Sequence, residues 1–93
     1  MRVGICRLEL FVPESRSLKD KRQVIRSLID NLRNRFNVSA AEVDYLDSWG
    51  RAAVGLACVS NDSDFNVRVL NKVVDFVEEN PRVVLQDYEI ETV

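Results

Sequence analysis

Four basic residues, Lys19, Arg22, Arg26 and Arg33, recur at steps of three, four and seven, the spacing that lines side chains up along one side of a helix. A row of cations opposite an apolar face can follow a phosphate backbone, and such binding is electrostatic and weakens steeply with salt. Between Arg16 and Arg35 the cations also include Lys21, opposed only by Asp20 and Asp30. The last third of the chain is acidic, with Asp62, Asp64, Asp75, Glu78, Glu79, Asp87, Glu89 and Glu91 against Arg68, Lys72 and Arg82. A formal net charge of -2 therefore conceals two faces of opposite sign. Structured RNA is the partner expected for the basic row. The competing reading is a solvated helix face on which Asp30 neutralises Arg26 or Arg33.

Other chemistry is poorly supplied. The chain has no His, which removes the commonest general acid and base, the triads built on imidazole and every metal site that needs a His ligand. Cys6 and Cys58 each lie inside an apolar run and not at ligand spacing, so they read as small buried hydrophobes that stay reduced. Glu42, Asp44 and Asp47 lack a close-spaced set of partner ligands, and neither a metal nor another cofactor is expected. The loop Pro13-Glu14-Ser15-Arg16-Ser17 leads into a helix N-terminus, where Ser15, Arg16 and Ser17 form a candidate anion site; ordinary capping competes with it. The loop is similar in place to the phosphate cradle of acylphosphatase, but it has no glycine and Glu14 opposes an anion. A small acyl or phosphoryl hydrolase is therefore the third function class considered. Trp49, near Tyr45 and Arg51, is either an exposed interaction anchor or an indole folded back over the end of the core, and the second is expected.

These groups must be held by a small scaffold. A chain of 93 residues, 46% hydrophobic, makes one domain over residues 1–93, and burying about two-thirds of its unfolded surface leaves room for one modest core. Residues 2 to 12 alternate in the strand period, with Gly4, Cys6, Leu8, Leu10 and Val12 on one side and Val3, Ile5, Arg7, Glu9 and Phe11 on the other. After Pro13, the run Ser17-Leu18-Lys19-Asp20 fits a capping box. A helix then continues to about Phe36, with Leu18, Ile25, Leu28, Ile29, Leu32 and Phe36 on its apolar side. Val38 to Leu46 and Arg51 to Ser60 form a hairpin across Asp47-Ser48-Trp49-Gly50. Asn61 to Asp64 cap a second helix that Asn80-Pro81 stops. A last strand, Arg82 to Val93, sets Val84, Tyr88 and Ile90 against Asp87, Glu89 and Glu91.

The order strand, helix, strand, strand, helix, strand predicts a ferredoxin-like α+β fold. Its antiparallel sheet has the spatial order 4-1-3-2, with both helices on one face and the other face open. The open face should be apolar at its centre and charged at its margins. Stacking aromatics of the kind an RRM needs are missing from Arg51 to Ser60, and Gly4, Gly50 and Gly55 never have the GXXG spacing of a KH domain. RNA contact is accordingly expected through the first helix, by shape and charge.

Three segments carry a family likeness: Ser17-Leu18-Lys19-Asp20-Lys21-Arg22, then Arg33-Asn34-Arg35-Phe36-Asn37-Val38-Ser39, then Ala41-Glu42-Val43-Asp44 followed by Trp49. Together they resemble the YlxP-like family of small bacterial proteins, a domain of unknown function, over nearly the whole chain. The resemblance implies a setting in translation and ribosome assembly and transfers no catalytic residue. The resulting expectation is a non-enzymatic accessory protein that contacts ribosomal RNA or a ribosomal subunit through Lys19, Arg22, Arg26 and Arg33. The alternative is a homodimer or protein-docking module that uses the open sheet face around Val3, Ile5, Ala57 and Val59. The N-terminal residues lack an uninterrupted apolar run, so a cytoplasmic protein without membrane association is expected.

Overall fold

The computed structural model describes residues 1–93. Strand β1 (Arg2–Phe11) keeps the expected alternation: Gly4, Cys6, Leu8 and Leu10 are buried, and the opposite series faces away from the helices. Helix α1 (Leu18–Arg35) starts at Ser17, whose hydroxyl accepts from the Asp20 amide at 3.0 Å. The Asp20 carboxylate accepts from the Arg16 amide at 3.1 Å, one residue further out than a capping box requires. Strand β2 (Ser39–Asp44) is shorter than the apolar run, because Tyr45 takes a left-handed φ of 58° and turns the chain out of the strand. Strand β3 (Arg51–Ser60) has the predicted limits. Helix α2 (Ser63–Glu78) is capped by Asp62, which accepts from the Asp64 amide at 2.9 Å, and strand β4 (Val84–Thr92) completes the chain.

The sheet is antiparallel throughout and runs β2-β3-β1-β4, which is the order 4-1-3-2 read from the other edge. Helix α1 lies over β2 and helix α2 over β1, β3 and β4, so both helices cover one face. The fold is the ferredoxin-like βαββαβ arrangement. Between helices and sheet lies one core, in which Leu8, Leu10, Val54 and Leu56 of the sheet meet Ile25, Leu28 and Leu32 of α1 and Leu70, Val73 and Val77 of α2.

Two bulges alter which residues face out. The β1–β4 register shifts between Glu9 and Leu10, so that Asp87 opposes Glu9 while Leu85 opposes Leu10. Gln86 is the extra residue. Parity alone places Val84 with Tyr88 and Ile90; the bulge instead moves Val84 to the open face opposite Phe11, 48% exposed, and turns Leu85 inward. A second shift between Glu42 and Asp44 leaves Val43 unpaired and carries Asp44 to the open face.

Cys6 and Cys58 are both free and buried. Burial pushes the Cys6 thiol up to about 11, with Cys58 beside it adding to the rise, and both side chains pack as neutral hydrophobes. The side-chain amide of Asn66 is fully buried without a hydrogen-bond partner, a cost of about 1–3 kcal/mol. Asn66 presses against Gly4: a Cβ on Gly4 would sit 2.9 Å from Asn66 Cβ, 3.0 Å from Leu70 Cδ1 and 3.2 Å from Cys58 Sγ. Gly4 is thus required for α2 to approach β1. Replacing Gly4 with Val is expected to lower stability by about 1–3 kcal/mol through overpacking, read as a shift of the urea midpoint.

Candidate functional site

Helical period splits the cations of α1 between its two sides. Lys19, Arg22, Arg26 and Arg33 are all exposed, as the spacing predicts. Arg22, Arg26 and Arg33 border a shallow groove of about 370 Å³ between α1 and β2, together with Asp30, Ala41 and Glu42. Three of the basic residues of α1 are engaged elsewhere. Arg33 donates to the Ala40 carbonyl at 2.6 Å, the Arg35 guanidinium lies 5.0 Å from the centre of the Phe76 ring, and Lys21 is inside the protein. Lys19, Arg22 and Arg26 form no ion pair, because the pairs the fold makes are Arg7 with Glu9 and Asp44, Lys21 with Glu42, and Arg51 with Glu9. Asp30 lines the same groove but forms no ion pair with Arg26 or Arg33. The free positive charge on α1 therefore comes from its N-terminal half.

Composition groups Lys21 with the surface charge, yet it is 0% exposed. Its ammonium donates to Glu42 Oε2 at 2.6 Å and to the Tyr45 carbonyl at 3.0 Å. The signal was in the spacing: Leu18, Lys21, Ile25, Leu28 and Leu32 step by three and four, so Lys21 falls on the buried side. Glu42 shares a face of β2 with buried Ala40, which puts its carboxylate within reach.

The open face of the sheet differs from expectation at its centre. Arg7 donates from Nε to Glu9 at 3.1 Å and from Nη2 across β3 to Asp44 at 3.0 Å. That reach crosses β3, where Gly55 stands opposite Arg7 and Ala53 lies in register between Glu9 and Asp44. Asp44 is held below the usual carboxylate range first by the Tyr45 amide, which donates to it at 2.8 Å, and then by Arg7. Arg51 approaches Glu9 at 3.8 Å and stacks 3.9 Å from the centre of the Tyr45 ring. A charged network thus occupies the middle of the face that parity marked as apolar. The apolar residues lie at the two ends: at one, Val3 opposes Val59 and Ile5 opposes Ala57, and at the other Phe11 opposes Val84. Val3 and Ala57 are half-buried, while Ile5 and Val59 are 39% and 58% exposed.

In the loop before α1, the two serine hydroxyls and the Arg16 amide are engaged within the loop and first turn, while the Arg16 side chain is exposed. Ser15 Oγ donates to the Ser17 carbonyl at 2.9 Å, Ser17 Oγ accepts from Asp20, and the Arg16 amide is taken by the Asp20 carboxylate. Glu14 and Asp20 line the adjoining pocket of about 130 Å³ with Ser15 and Arg82. That arrangement is a cap, and its two carboxylates disfavour an anion. Trp49 is 60% exposed, contrary to the expected fold-back over the core. Phe11 already fills the space above Gly50, where a Cβ would lie 2.9 Å from its ring, and the indole is left in solvent. No group of three or more Asp, Glu, His or Cys side chains is placed to hold a metal ion.

Residues 3–90 match the family model described as a protein of unknown function, DUF503. The chain belongs to this family. Over 81 residues it is 32% identical to the protein described as uncharacterized protein YlxP of Bacillus subtilis (strain 168), covering 87% of this chain and 88% of that protein. The three segments that carry the family likeness meet in the fold. Lys21 of the first grips Glu42 of the third, and Arg33 of the second holds the β2 backbone at Ala40.

Substituting Met for Lys21 would leave Glu42 partly buried without its partner. That change should cost about 3–5 kcal/mol, whereas Lys21→Met combined with Glu42→Leu should recover most of the loss, because an apolar pair of similar volume carries no desolvation penalty. Urea unfolding of the two single variants and the double variant provides the check.

Proposed function

We propose that the protein is a non-enzymatic accessory factor of translation or ribosome biogenesis that contacts structured RNA through the outer face of α1. One observation carries this reading: Lys19, Arg22 and Arg26 are exposed, share one side of the helix and have no carboxylate partner. Arg33 extends the row at the groove, with part of its guanidinium engaged by Ala40. Cations left free in the folded protein can release counterions from a phosphate backbone, and three or four of them give a log–log salt slope of about -3. The open sheet offers no aromatic platform at its centre, since Arg7, Glu9 and Asp44 occupy it. Recognition is then by charge and shape, as suits helical RNA. The translation setting comes from the family resemblance and not from the geometry.

Co-sedimentation with ribosomal subunits at low and high salt tests the proposal. Binding by the natural chain should fall steeply with salt, and the Arg22→Glu, Arg26→Glu variant should lose it while keeping its unfolding midpoint, both sites being exposed. Equal binding by the variant removes the site assignment.

A second reading rests on the apolar cluster of half-buried Val3 and Ala57 with exposed Ile5 and Val59 at one end of the open face. It pairs two copies of the chain there, each burying about 800 Å² if the dimer is stable. Sedimentation velocity should then show a dimer that Ile5→Glu converts to monomer, with RNA binding by α1 retained.

A further inference from the structure

The two edges of the sheet are treated differently. At β2, side chains of α1 reach the edge: Arg33 donates to the Ala40 carbonyl, and Lys21 donates to the Tyr45 carbonyl just past the strand. At β4 no helix does so. Val3 and Val93 exchange amide-to-carbonyl bonds at 3.1 and 2.9 Å, and antiparallel alternation from that pair aims the backbones of Glu91, Glu89 and Asp87 at β1. The backbones of Tyr88, Ile90 and Thr92 therefore point outward. Asp87 accepts from the Tyr88 amide at 2.8 Å, while the Ile90 and Thr92 amides and the carbonyls of all three residues are left unpaired. Such an edge is a template for another strand.

The side chains beside it define what that strand must be. Asp87, Glu89 and Glu91 stand on the open face opposite Glu9, Arg7 and Ile5, and none of the three forms an ion pair. Arg7, the one cation opposite them, is engaged by Glu9 and Asp44. On the helix side the edge shows Tyr88, 45% exposed, and half-buried Ile90. A second copy of β4 is a poor occupant, because antiparallel pairing would set one carboxylate row against the other. We propose that β4 docks an extended segment of a partner protein as a fifth strand, with Lys or Arg at alternate positions and apolar residues between them. Main-chain bonds to Ile90 and Thr92 give the affinity, and the cations beside Asp87, Glu89 and Glu91 set the register. This surface lies at the sheet edge away from α1, so it stands independently of the RNA reading.

The test uses the whole protein and a synthetic peptide, Lys-Val-Lys-Leu-Lys-Val-Lys, with a control of the same composition whose lysines are grouped at one end. Amide hydrogen exchange followed by NMR should show slowed exchange at Ile90 and Thr92 with the alternating peptide. Isothermal titration should show weaker binding of the control, and Glu89→Lys with Glu91→Lys should weaken the alternating peptide about tenfold. Thr92→Pro, which removes one outward amide without touching the β1 ladder, should also weaken it. The proposal is overturned by equal binding of the two peptides, by unchanged exchange at β4, or by undiminished affinity in both variants. Concentration-dependent protection of β4 without peptide would assign the edge to a second copy, and protection by RNA alone would assign it to nucleic acid; either result overturns it as well.

Discussion

The contact between Lys21 and Glu42 fixes how the helix layer meets the sheet. Removing an ammonium and a carboxylate from water costs several kcal/mol per ion before their attraction is counted, so the pair is poor evidence of added stability. Its value is positional. One ammonium ties α1 both to the Glu42 side chain and to the Tyr45 carbonyl, at the residue whose left-handed backbone ends β2. Two elements separated in sequence by the rest of α1 are thereby held in one rotational setting. With Lys21 inward, helical geometry leaves Lys19, Arg22 and Arg26 no choice but solvent.

The open face obeys a related constraint, set by the bulges. An unbroken β2 would turn Asp44 toward the helices, away from Arg7. The extra residue, Val43, sends it to the other face, and Val43 itself leans over Gly55, where a Cβ would lie 3.0 Å from its Cγ1. Only then can Arg7 reach from β1 to Asp44. Because the Tyr45 amide and Arg7 both favour the carboxylate, this link is intact above the ordinary carboxylate range. It is lost as pH falls through the lowered Asp44 value. Burial of Ala53 follows from the same network, since Glu9 and Asp44 flank it in register.

Element order, strand parity in β1 and β3, and both helix starts were legible in the sequence, because alternation, helical spacing and capping residues are local signals. The bulges were not. An extra residue at Val43 or Gln86 leaves no mark of its own in composition, yet it reverses the facing of the strand residues beyond it, and Val84 and Asp44 were misplaced or unplaced for that reason. Lys21 was legible in spacing and hidden by its type, since a lysine is read as surface unless a carboxylate on another element is known to wait for it. Trp49 depended on whether Phe11 had already filled the space beside Gly50, a tertiary fact beyond any local pattern. Of the candidate site, the row on α1 was found whole, but which of its members remain free required the ion pairs.

That partition explains why one basic segment serves two ends. Lys21 and Arg33 use their charge inward, on the Tyr45 carbonyl just past β2 and the Ala40 carbonyl within it, and so occupy part of the β2 edge. Lys19, Arg22 and Arg26 keep theirs for solvent or a polyanion. At the opposite edge the helix layer supplies no such cations, and β4 carries carboxylates instead. Like-charge repulsion guards that edge against self-pairing while leaving it open to a cationic strand. The asymmetry of charge along the sequence thus becomes an asymmetry between the two edges of one sheet: cations of α1 reach the edge at β2, whereas the edge at β4 carries carboxylates.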